Sequence, residues 1–71
     1  MKKVLLDTNA YTALRRGDEA VLDVLGRAET VFMSAIVLGE LHAGFKGGSK
    51  EAINRKELDE FSSRPTVRIL H

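Results

Sequence analysis

Cysteine is absent from this chain and proline occurs once. Without cysteine there can be no disulfide and no thiolate zinc site, and the lack fits a reducing compartment such as the cytoplasm. Charge of one sign is not in excess either. Eleven Lys and Arg stand against ten Asp and Glu, for a net charge of +1. That balance gives no global pull towards nucleic acid or an anionic membrane, so a nucleic-acid partner needs a local patch. Long apolar runs are missing too. The longest, Ala35 to Leu38, is far short of the roughly 20 residues of a spanning helix. Between the opening MKK and Asp7 lies an apolar stretch of only Val4, Leu5 and Leu6, against about 7–15 residues in a signal-peptide core.

What remains is 71 residues of ordinary globular composition, 44% hydrophobic and 30% charged. A domain of this size buries about 60% of its unfolded surface and is marginal without help. The continuous apolar run in KVLLD, residues 3–7, reads as a strand covered on both faces. Thr8 or Asn9 is a ready cap for a short helix over Tyr11–Arg16 that ends at Gly17. Asp18 caps a helix from Glu19 to Ala28, whose Val21, Leu22, Val24 and Leu25 recur at helical spacing. TVFMS, Thr30–Ser34, is β-branched and aromatic, a second strand. Ser34 then caps a helix over residues 35–45.

KGGS, residues 46–49, breaks the chain. Ser49 starts a helix to about Ser62, with Glu51–Arg55 and Lys56–Glu60 as i,i+4 pairs on a solvated face. Pro65 stops it, and TVRIL, residues 66–70, is a third strand. Strands separated by helical crossovers argue for an α/β fold with a parallel sheet. A three-stranded parallel sheet that stops at His71 has poorly covered faces. The expectation is therefore the N-terminal portion of one larger domain, truncated after the third strand and held as an oligomer or complex.

The chemistry rests on Asp7 and Glu40. Burying a carboxylate at a strand end costs several kcal/mol unless it is paired, hydrogen-bonded or bound to metal. Sites in open α/β sheets lie beyond the carboxyl ends of the strands, where Asp7 falls. Glu40 has Ile36, Val37, Ala43 and Gly44 around it on its helix, which places it off the wet side. Its helix leaves the second strand and so heads from the same end of the sheet. Two hard oxygen donors suit Mg²⁺ or Mn²⁺, and the chemistry that follows is phosphodiester hydrolysis. The competing reading is plain structure: Asp7 caps the next helix, and Glu40 reaches solvent or an arginine.

The other polar groups read as structural. His42 lies two residues from Glu40, about 200° away around a helix, so the two do not share a site. Ser34 is a cap without a histidine to activate it. GFKGGSK follows a helix and lacks the P-loop order. Arg15, Arg16, Lys46 and Lys50 suit a solvated surface as well as a phosphate-binding rim.

LLDTNAYTALRRG (residues 5–17) followed by MSAIVLGELHAGF (residues 33–45) resembles the N-terminal half of a PIN-domain ribonuclease, above all the VapC toxins of toxin–antitoxin pairs. The resemblance covers essentially all 71 residues. It implies an α/β/α sandwich and a metal-dependent endoribonuclease acting on RNA. It implies Asp7 and Glu40 as catalytic, metal-binding carboxylates and Thr8 and Asn9 as polar support for the aspartate. It also implies an antitoxin partner and frequent homo-oligomers. The family's further carboxylates lie beyond His71, so half of the metal cage is absent and the isolated chain is expected to be inactive.

Overall fold

A computed structural model describes residues 2–71. The elements run β1 (Lys3–Leu5), α1 (Thr8–Arg15), α2 (Glu19–Arg27), β2 (Thr30–Ser34), α3 (Ala35–Phe45), α4 (Glu51–Ser62) and β3 (Val67–Leu70). The strands form one parallel sheet in the order β1-β2-β3, so the parallel α/β fold expected from the pattern is the one formed. Both crossovers step across the sheet in the same direction. Right-handed connections then put every helix on the same face.

That face holds the core. Val4 pairs with Val31, Val31 with Val67, and Met33 with Ile69. These side chains point together because alternate residues share a side of a strand. Leu6, Val31, Met33 and Val67 meet Tyr11 of α1, Leu41 of α3 and Leu58 of α4 in a single buried cluster. Tyr11 packs edge-on to Phe61 with ring centroids 5.4 Å apart. Burial pushes its hydroxyl pKa up, while the nearby Arg15 pulls it down. The opposite face carries Leu5, 70% exposed, and Leu70, 46% exposed. The apolar run in β1 had suggested cover on both sides. Among the described residues only one side is covered, because both crossovers fall there.

Helix starts differ from the sequence expectation in two places. Asp7, not Thr8 or Asn9, caps α1: its Oδ1 accepts the Ala10 N–H at 2.7 Å. The helix therefore begins three residues earlier than Tyr11, with Thr8 and Asn9 already in its first turn. Ser49 does not start α4. Lys50 occupies the cap without a side-chain bond, and the Glu51 carboxylate reaches back to accept the Gly47 N–H at 2.9 Å. Asp18 and Ser34 cap as expected, each accepting at 3.1 Å from Val21 N–H and Val37 N–H.

Gly17 and Gly47 sit at φ 80° and 79°. That region is open to glycine and strained for other residues, so both turns depend on it. The charged residues of α4 are less solvated than their spacing suggests. Arg55 holds Glu51 at 2.8 Å and donates to His42 Nδ1 of α3 at 3.1 Å, and Glu57 pairs with Arg15 of α1. Among the described residues Lys56 and Glu60 form no pair.

Candidate metal centre

Two local rules place the carboxylates. β1 ends at Leu5, and Leu6 still donates its N–H to Phe32 of β2 at 2.8 Å. The chain must then turn into α1, and Asp7 makes that turn by capping it. One residue beyond β2, α3 leaves from its Ser34 cap. Both helices thus start at the carboxyl edge of adjacent parallel strands. Glu40 lies in the second turn of α3.

The link between them is tertiary. Thr8 Oγ1 donates to Glu40 Oε1 at 3.1 Å, across 32 residues of sequence. Since Thr8 follows Asp7 directly, the bond ties the glutamate to the segment that carries the aspartate. Each carboxylate keeps one oxygen, Asp7 Oδ2 and Glu40 Oε2, without a hydrogen bond among the described residues. Both side chains are exposed. For Glu40 this corrects the reading from its apolar neighbours. Ile36 is 77% exposed and Gly39, Ala43 and Gly44 are exposed with it, so the whole outer side of α3 faces water.

Thr8 therefore serves Glu40, not the aspartate, as far as its hydroxyl goes. The Asn9 side chain makes no hydrogen bond among the described residues and is exposed. His42 is turned away towards α4, with Nε2 3.9 Å from Asp59 Oδ1. Sequence reasoning missed the Thr8–Glu40 bond, and no spacing rule signals a contact between positions so far apart.

Two anionic oxygens free of protein donors fit a hard divalent ion that retains much of its water. They do not complete a cage, since no group of three or more His, Cys, Asp or Glu converges among the described residues. A cleft of about 400 Å³ between α1 and α4 lies elsewhere, lined by Tyr11, Leu14, Arg15, Glu57, Phe61 and Arg64. Its Arg15 and Glu57 neutralise each other. No helix among the described residues is long and apolar enough to cross a membrane.

Comparison with known proteins bears on the same two strand ends. Among curated proteins nothing matches. Among solved structures, the crystal structure of VapBC2 from Rickettsia felis bound to a DNA fragment from their promoter contains a similar chain. The TM-score is 0.72 and the identity 29%, over 96% of this chain. The match takes in 53% of that chain, so the present chain spans about half of its length. The family model described as PIN domain matches residues 4–70. A match running from the first strand to the last, with Asp7, Thr8 and Glu40 inside it, makes this chain a member of the PIN-domain family.

Proposed function

We propose that the chain is the N-terminal portion of a VapC-type, metal-dependent endoribonuclease of a toxin–antitoxin system, acting in the cytoplasm. The observation that carries this reading is the Thr8–Glu40 hydrogen bond of 3.1 Å, which gathers the two carboxylate-bearing segments at one edge of the sheet. Asp7 and Glu40 would hold Mg²⁺ or Mn²⁺ through their free oxygens. Such an ion, when bound, lowers the pKa of a water and neutralises phosphate charge. Thr8 fixes the carboxylate plane of Glu40, and the Asp7 cap fixes the start of α1. The substrate would be RNA phosphodiester. A cognate antitoxin would be the protein partner, a reading supported by the VapBC2 complex to which the chain is similar.

With two carboxylates the 71-residue chain should be inactive or nearly so by itself. Its activity would depend on a C-terminal segment that adds further acids, or on a second chain that does so. The test is RNA cleavage with Mn²⁺ by a PIN domain that carries these 71 residues followed by such a segment. Asp7→Asn and Glu40→Gln should each abolish cleavage and leave the circular dichroism unchanged. Full activity in either variant would remove the assigned role.

A second reading is favoured by the exposed apolar face of the sheet, with Leu5 at 70% and Leu70 at 46% exposed. The chain would then be a non-catalytic assembly piece that docks an antitoxin or another copy. Calorimetric titration with Mn²⁺ separates the two. Metal uptake that is lost in Asp7→Asn supports the nuclease, and docking without any metal response in the completed domain supports the assembly piece.

A further inference from the structure

Leu5, Phe32 and Arg68 form one row across the three strands, on the side away from the core. Leu70 and Lys3 share that side by strand alternation. Leu5 and Leu70 are largely bare and Phe32 is half-buried. Lys3 lies on β1 at one margin of the sheet and Arg68 on β3 at the other. Both are exposed, and among the described residues neither has an ion-pair partner. No strand position on this side carries an acid.

We infer that this face seats a single amphipathic α-helix of a partner polypeptide, apolar along one stripe and carrying carboxylates on both flanks of it. Parallel sheets are found covered on both faces, and here one cover is missing. Three strands spaced by about 4.8 Å put the outer two about 10 Å apart, the width of one helix. The strands are short enough that about ten helical residues span them. A central apolar strip between two lone cations matches a helix with leucines in the middle and glutamates or aspartates at either side. A second copy of this chain fits poorly, because stacking the face on itself brings Lys3 and Arg68 of both copies into one seam with no acid to meet them.

The face is remote from the Asp7–Glu40 edge in chemistry, and the inference goes beyond the nuclease reading. The probe is a labelled synthetic helix of about twelve residues with a leucine stripe flanked by glutamates, together with a twin bearing lysine in place of each glutamate. Fluorescence anisotropy with the 71-residue chain should show the glutamate peptide binding about tenfold more tightly at low salt. Added salt should shrink that gap. Lys3→Glu combined with Arg68→Glu should reverse the order of the two peptides, and Leu5→Asn should weaken both. Circular dichroism verifies that each variant is folded, and the charge reversal carries the test by itself if Leu5→Asn is not. Equal affinity for the twins, an order unmoved by the charge reversal, or no binding of either would overturn the inference. So would a dimer in sedimentation that Leu5→Asn dissociates, since the seat would then belong to a second copy.

Discussion

The two faces of the sheet come from the same three strands and have opposite fates. Val31 and Met33 of β2 are 4% and 0% exposed, while Leu5, one pleat away on β1, is 70% exposed. Nothing in side-chain chemistry separates Leu5 from Leu6, its 1% exposed neighbour. The difference is topological. Two crossovers of the same hand, advancing in one direction, stack α1, α3 and α4 on one side. Hydrophobicity makes a residue suitable for burial, and connectivity decides whether anything arrives to bury it.

That contrast is sharpest under truncation. Met33→Ala or Leu58→Ala removes a side chain with no exposure and should cost about 2–5 kcal/mol in urea denaturation. This is a large share of what so small a domain holds in total. Leu5→Ala on the bare face should stay within about 0.5 kcal/mol in the same assay. Equal losses at the two sites would mean that the open face is covered in solution.

Capping provides the next contrast. Ser34→Ala and Asp7→Ala should each cost about 1 kcal/mol in chemical denaturation, since each removes an acceptor from a helix start. Asp7→Asn should hold nearly full stability, because asparagine caps as well as aspartate. A stability loss in Asp7→Asn equal to that of Asp7→Ala would show that the charge itself holds the turn.

The core also has an alkaline limit. Burial raises the Tyr11 pKa, so the native state keeps the phenol proton more firmly than the unfolded chain does. Stability should be full below the unfolded value of about 10 and fall as pH rises above it. Tyr11→Phe, which keeps the edge contact with Phe61, should flatten that decline in thermal melts.

The smallest effect is expected at the acid end. The Gly47 N–H and then Arg55 hold Glu51 below the usual carboxylate range. Its contribution should be present above the unfolded glutamate pKa and fade as pH falls through the lower folded value. Glu51→Gln should remove only that acid-side slope, since the group is on the surface. Melts between pH 5 and about 3 that are the same with and without the substitution would count against the Gly47 bond in solution.

Most of the element pattern was legible. β2 and α3 fall at residues 30–34 and 35–45 as the periodicity and the Ser34 cap indicate, because strand and helix periods are local properties. Helix starts were harder where several acceptors compete. Asp7, Thr8 and Asn9 can all cap, and geometry chose the first so that Thr8 was released to reach Glu40. Ser49 lost its place because Glu51 satisfied a backbone donor from inside the helix. The pairing of Asp7 with Glu40 was suggested by topology and family resemblance, while the burial inferred for Glu40 did not hold. Apolar neighbours on a helix indicate a face that something can cover, and no described residue covers it.

The amino-acid sequence alone determined the alternation of strands and helices, the two glycine turns and the presence of hard oxygen donors after the first strand and on the third helix. Those follow from φ/ψ preferences, capping chemistry and spacing, all of which act within a few residues. Only the tertiary structure decided that Thr8 would hold Glu40, that Arg15 would be spent on Glu57, and that one side of the sheet would be left bare. Each of those depends on contacts between segments far apart in the chain, where the hand of the crossovers and the register of the strands choose the partners.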